Sequence, residues 1–242
     1  MFITINLKKM FVPAVLIIVV IAILILIFTG PASEAMLKTT GGSHSGTPVL
    51  IIDAGHGGED GGAQSKSGLL ESTVNLDIAL RLEALAGLMG VETLMTRTSE
   101  EIDYPESAKT THARKTYDQH RRLELINSTP NAVLISIHQN KFPNPIPRGS
   151  QVMYAKTEGS REFGELTHAN LIAALYPENR RVAIPVYDSI YLFNNINCTG
   201  ILVECGFLSN PAEAELLATD EYRIKLASVL ICSYLQYMEE AS

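Results

Sequence analysis

The chain has no tryptophan, only three cysteines, and fewer basic than acidic residues. Without indole rings, a module that grips sugars by stacking them on tryptophan is disfavoured. Cys198, Cys205 and Cys232 form no Cys-x-x-Cys pair and are odd in number. This argues against a disulfide framework, and the expectation is buried thiols that pack as small hydrophobic groups. The 19 Lys and Arg stand against 26 Asp and Glu, a formal net charge of −7. That balance argues against nucleic acid as a partner, because phosphate binding needs a basic field.

Several catalytic signatures are missing too. The glycine run after Ile52 lacks the Gly-Lys-Ser/Thr of a phosphate-cradling loop. It fails the dinucleotide-binding spacing, since the third glycine would fall on Asp60. No Gly-x-Ser-x-Gly elbow for a nucleophilic serine occurs anywhere.

The chain does contain one long hydrophobic run. Met10 to Phe28 is 19 residues, mostly Ile, Val and Leu. As a helix it would be about 28 Å long, close to the hydrocarbon thickness of a bilayer. Lys8 and Lys9 precede it, and the next basic residue is Lys38. The positive-inside bias then places everything after Gly30 outside the cytoplasm. A cleaved signal peptide ending near Ser33-Glu34-Ala35 is the rival reading, although the apolar core is long for one. The expected organisation is an anchor or signal segment over 1–29, a flexible linker over 30–47, and a catalytic domain over 48–242. His44 falls in the linker and reads as solvated.

The remaining residues, about 190, suit a single domain. Short apolar runs at Val49–Ile52, Val91–Thr96, Ala132–Ile137, Gln151–Ala155 and Ile201–Cys205 read as strands. Helical patterns cover Ser72–Met89, Tyr117–Asn127, Ser160–Leu175 and Asp220 to about Met238. In the first of these, Val74, Ile78, Leu82, Leu85 and Leu88 share one face. Asn210-Pro211 followed by Glu213 reads as a capped helix start. Residues 98–118 are polar and read as a long surface loop that could serve as a lid. The alternation predicts an α/β fold: a twisted, largely parallel sheet with helices on both faces, preceded by one transmembrane helix.

Three strands deliver a polar group at their carboxyl ends: His56, His138 and Glu204. In open α/β sheets that edge is where chemistry sits. Glu71 opens the Ser72 helix, fifteen residues after His56. Two imidazoles and one carboxylate suit a catalytic zinc that keeps a position open for water. A second glutamate beside that position would act as general base. Plainer readings exist for each residue: a turn histidine, a core histidine, a first-turn acid favoured by the helix dipole. Glu204 is hardest to explain that way, because acids within apolar strands are rarely left unpaired. His112, His120 and His168 lie in polar or helical surroundings and are expected to be solvated.

Taken together, Ile52-Asp53-Ala54-Gly55-His56-Gly57-Gly58, Glu71 leading a helix, Ser136-Ile137-His138-Gln139-Asn140 and Val203-Glu204-Cys205-Gly206-Phe207-Leu208-Ser209-Asn210 resemble the zinc-dependent N-acetylmuramoyl-L-alanine amidases. The resemblance spans roughly residues 48 to 238. It implies zinc held by His56, Glu71 and His138, with Glu204 as catalytic acid/base. It also implies cleavage of the amide between the lactyl group of muramic acid and the L-alanine of the peptide stem in peptidoglycan. Most members carry alanine where this chain has Gln139, a departure beside a ligand position. A short anchor with a bare catalytic domain looks most like the germination-linked, spore-cortex amidases. Muramic lactam formation would follow there, with a separate deacetylase. An activating protein partner is a further expectation of the resemblance. The alternatives are a non-catalytic or partner-activated wall-binding module, or a zinc peptidase or deacetylase on the same substrate. The loop glycines are expected to give clearance to a bulky glycan.

Overall fold

The computed structural model describes residues 46–241. The apolar run, the linker through Ser45 and His44 lie outside them. Among the described residues, no helix is long and apolar enough to cross a membrane.

The chain runs β1 (Val49–Ala54), α1 (Glu71–Leu88), β2 (Thr93–Met95), α2 (Thr111–Ser128), β3 (Ala132–Asn140) and β4 (Gln151–Tyr154). It continues through α3 (Ser160–Leu175), β5 (Ile184–Pro185), β6 (Thr199–Phe207), α4 (Pro211–Leu217) and α5 (Asp220–Glu240). The six strands form one sheet in the order β2-β1-β3-β6-β4-β5. Strands β2, β1, β3 and β6 are mutually parallel, whereas β4 is antiparallel to β6 and parallel to β5. The sheet is therefore mixed but still largely parallel, with four of its five pairings parallel and the reversed β4 as the exception. The physical cause is the connection from β3 to β4. Pro143, Pro145 and Pro147 prevent a helix there, and residues 141–150 form no regular element. The chain cannot recross to the amino edge, so β4 starts at the carboxyl edge where β3 ended and runs back.

Both faces of the sheet are covered. On one, Leu50, Ile52, Ile135, Ile137, Ile201 and Val203 meet α1, α3 and α5 through Ile78, Leu82, Phe163, Leu171 and Leu230. Burying each such side chain contributes roughly 1.5–3 kcal/mol before chain entropy is counted. On the other face, Ile51, Leu134, Met153 and Leu202 meet Ile126 of α2. Among the described residues, no helix covers the rest of that face. Residues 186–196 do so as irregular chain, inserting Leu192, Phe193 and Ile196.

Element boundaries differ from expectation in instructive places. α2 begins at Thr111, six residues early, because the Thr110 hydroxyl accepts from Ala113 N and caps it. The expected loop over 98–118 thus loses its second part to a helix. β3 runs three residues past Ile137, and the short β5 has no apolar run to announce it. Leu88 is 84% exposed rather than part of the α1 core face. The thiol expectation holds only for Cys205, since Cys198 is half-buried and Cys232 is exposed.

Candidate metal centre and active site

β1 ends at Ala54, and His56 follows in the left-handed region with φ of 60°. A residue with a Cβ stays there only when its surroundings enforce it. Two buried arginines do so. Arg97 Nε donates to Ala54 O at 2.9 Å, and its Nη2 to Gly55 O at 3.1 Å and Ser72 O at 2.8 Å. From α2, Arg122 Nη1 donates to Ala54 O at 2.7 Å and Nη2 to His56 O at 2.6 Å. All three successive carbonyls are thereby pinned. Arg122 is balanced by Asp53 at 2.5 Å and Asp118 at 2.7 Å. Burial opposes the charge on Asp53, but Arg122 and the Ser136 and Thr96 hydroxyls outweigh it, and the carboxyl is held down at about 2.

Glu71 occupies the first turn of α1, where the helix dipole favours a carboxylate. Its Oε2 accepts from Ala63 N at 2.8 Å, and its Oε1 from Gln139 N at 3.0 Å. Oε1 also lies 3.2 Å from His56 Nε2 and 2.9 Å from His138 Nδ1. One donor atom from each of these three residues falls within 4.8 Å of the others. The other nitrogen of His56, Nδ1, is 3.1 Å from Asp60 Oδ2, and Lys115 Nζ lies 2.9 Å from that same oxygen. A proton held on Nδ1 by Asp60 would turn Nε2 toward the cluster as the ligating atom once a metal displaces its proton, as orienting carboxylates do for metal-bound histidines. Burial works against a charged His56, yet its hydrogen bonds to Asp60 and Glu71 carry it up to about 9. Glu71, despite its burial, is held well below the usual carboxylate range by His138 and His56.

Glu204 reaches the same edge from β6. Its Cα is paired in register with His138, and the ladder slips between His138 and Asn140, the kind of irregularity that re-aims side chains. Glu204 Oε2 is sealed from solvent without a hydrogen-bond partner, a feature that calls for a functional explanation. Burial, with the negative Glu71 adding to it and the two histidines opposing, pushes this carboxyl up to about 7. A cleft of about 290 Å³ opens onto Glu204, His56 and His138, between Lys115 and Gln119 of α2 and Tyr191 of the 186–196 segment. A hollow of about 420 Å³ at Asn127–Ala132 and Cys198 contains none of these groups.

The structure thus gathers all four residues singled out by the sequence. It also corrects other readings. His168 is 3% exposed, not solvated; it sits in α3 and its Nε2 faces Arg181 O at 3.0 Å. His112 and His120 are exposed. The loop glycines make room for the protein's own groups rather than for a ligand. A Cβ on Gly55 would fall 2.3 Å from the His138 ring, and one on Gly62 would fall 2.6 Å from Glu71 Oε2. Gln139 turns out to be a brace: its Nε2 donates to Asn75 Oδ1 at 3.2 Å, while Asn75 Nδ2 donates to Gly55 O at 3.1 Å. Asp60, Asn75, Arg97 and Arg122 escaped sequence reasoning. Asp118, Arg122 and Ile126, spaced four apart on α2, carried the one signal: two charges on the inward stripe.

Two nitrogens and one carboxylate oxygen converging beside an orphaned carboxyl form the donor set of a metal-dependent hydrolase. Comparison with known proteins narrows that class. Residues 50–232 match the profile of the Amidase_3 family, described as N-acetylmuramoyl-L-alanine amidase. The chain belongs to this family and is an amide hydrolase. It is 36% identical over 193 residues to the germination-specific N-acetylmuramoyl-L-alanine amidase of Bacillus subtilis, covering 79% of this chain and 80% of that one. It is also 27% identical to the amidase AmiC of Neisseria meningitidis, spanning 54% of that protein's length and 81% of this chain. Among solved structures, the CwlD amidase from Clostridioides difficile, in complex with the GerS lipoprotein, superposes with a TM-score of 0.76. The identity is 33%, over 80% of this chain and 99% of that one. AmiC2 of Nostoc punctiforme superposes with a TM-score of 0.67 at 25% identity, over 81% and 99% of the two chains.

Proposed function

We propose that this protein is a zinc-dependent N-acetylmuramoyl-L-alanine amidase in which His56, Glu71 and His138 hold the metal and Glu204 is the acid/base. The observation that carries the reading is the convergence of His56 Nε2 and His138 Nδ1 on Glu71 Oε1, beside the unpartnered Glu204 carboxyl. The donor set, two imidazoles and a carboxylate, fits zinc with a position left open. When bound, the metal supplies Lewis-acid polarisation of the scissile carbonyl and acidifies water to a pKa of about 7. Glu204 takes the proton from the attacking water. It then returns that proton to the alanine nitrogen as the carbon–nitrogen bond breaks, leaving a lactyl carboxylate on the glycan and a free amine on the stem. Asp60 holds the His56 ring and the two arginines hold its backbone, so neither has to reorganise during turnover.

The setting is part of the same proposal. Residues 1–29 anchor or export the chain, 30–47 tether it, and 48–242 work on peptidoglycan outside the cytoplasm. Likeness to a germination-specific amidase and to CwlD supports a role in spore-cortex maturation, ahead of muramic lactam formation. The GerS complex of CwlD supports a protein partner for this chain too. Two variants test the site. Glu204→Gln should abolish release of stem peptide from peptidoglycan while retaining stoichiometric zinc by metal analysis. His56→Ala should lose both zinc and activity. A Glu204→Gln protein that still turns over, or a His56→Ala protein that keeps its zinc, would sink the assignment.

A further inference from the structure

Among the described residues, every Lys and Arg outside one strip of surface is ion-paired, except Lys66 and Lys109. Lys141, Arg148, Arg180 and Arg181 make up the strip, and none of them holds a carboxylate. Arg181 Nη1 donates to Arg148 O at 2.6 Å, which ties the strip's two ends together. Arg148 lies over the Tyr176 ring, 4.6 Å from its centroid, and Arg180 Nη1 reaches Pro177 O. Three apolar side chains stand in the open along the same strip: Phe142 at 53%, Ile146 at 76% and Val182 at 69% exposure. The nearest acids form no ion pair with it, although Arg148 and Arg181 lie close enough to favour the charge on Glu213. Glu178 is exposed, and the buried Glu213 carboxylate is occupied by Gly149 N and Phe207 N, each at 2.8 Å.

The strip's place in the fold says what it meets. Lys141 comes three residues after His138. The connection then enters β4, whose first residue, Gln151, is paired in register with Glu204. Gln151 Nε2 in turn donates to Val182 O at 2.7 Å. The cations thus stand at the carboxyl edge of the sheet, one strand over from the reacting carboxylate. The cleft itself is lined by Asp53, Asp60, Asp118 and Glu204, and its two cations, Arg122 and Lys115, are already paired with the first three of these acids, so it offers a carboxylate no free cation.

We infer that this strip is a substrate subsite that binds the free carboxylates of the peptide stem while the scissile amide lies at Glu204. The inference rests on the amidase reading above. Guanidinium forks match carboxylates bidentately, and the exposed apolar residues would lie along the aliphatic parts of the stem. An anionic lipid surface would also suit mixed cations and apolar groups, but the register of Gln151 with Glu204 favours the substrate.

The test uses the full-length, zinc-loaded chain in detergent and two kinds of wall sacculi: native, and with carboxyls converted to amides. In Lys141→Gln/Arg180→Gln, both altered side chains are exposed and outside the core. KM on native sacculi should rise roughly three- to ten-fold, as loss of two surface charge contacts implies, with kcat retained. The gap between variant and wild type should close on amidated sacculi. Arg148→Gln should shift KM the same way, and Lys225→Gln, a charge loss on α5, should not. An unchanged KM on native sacculi would overturn the subsite, as would a loss confined to binding of vesicles rich in phosphatidylglycerol. Failure of the wild type to release any stem peptide would overturn the amidase reading and the subsite with it.

Discussion

His56 is a ligand candidate only because its backbone is held where few side chains tolerate it. Arg97 and Arg122 take the carbonyls of Ala54, Gly55 and His56 in a fan of five-donor guanidinium contacts that an ammonium cannot reproduce. Arg122→Lys keeps a charge opposite Asp53 yet loses the fork. Its zinc affinity should drop about 10- to 100-fold, the range seen when supporting partners of metal ligands are removed. Zinc titration beside thermal melting of the metal-free protein checks this; unchanged affinity in a folded variant would refute the positioning role. The four candidate residues were legible in the sequence because each of His56, His138 and Glu204 ends an apolar run, and Glu71 opens an amphipathic helix. Arg97, Arg122, Asp60 and Asn75 were not legible. Their charge or polarity reads as surface until the tertiary fold brings carbonyls and carboxylates to them.

At the level of elements, buried strands announced themselves and polar helix turns did not. Thr111 to Thr116 has the composition of a loop, and only the Thr110 cap with the packing of Ile126 makes it helical. The reversed β4 was implicit in three prolines, but its partner was not, because strand neighbours are chosen by the whole sheet. α3 carries a consequence for acid stability. His168 is buried within it, Nδ1 has no partner, and burial lowers its pKa below the usual 6.5. The unfolded chain therefore binds a proton that the fold refuses. The stabilisation from neutral His168 is complete above pH 6.5 and is lost as pH falls below it. His168→Gln removes that titration while keeping a donor for the Arg181 carbonyl. Relative to this variant, wild type should lose melting temperature as pH drops from 7 to 5, whereas a constant difference would exclude His168 as the cause. Comparing the two cancels the opposing contribution of Glu204, whose folded value is raised.

Across the whole molecule, α/β alternation fixed what sits at which edge: three strand ends and one helix start meet at the carboxyl side, and α2 with the 186–196 segment walls the cleft. The irregular wall and the unpaired strip of cations have no periodicity and could be found only in three dimensions. The family assignment says that the chain hydrolyses an amide, and the geometry at this edge supports one chemistry for it. The most direct measurement is digestion of peptidoglycan by the chelator-stripped and the zinc-restored protein, with product masses read by mass spectrometry. Zinc restoration should release intact stem peptides with a free L-alanine amino terminus and leave lactyl carboxylates on the glycan. Shortened stems, loss of acetyl groups, or equal activity without zinc would contradict the account.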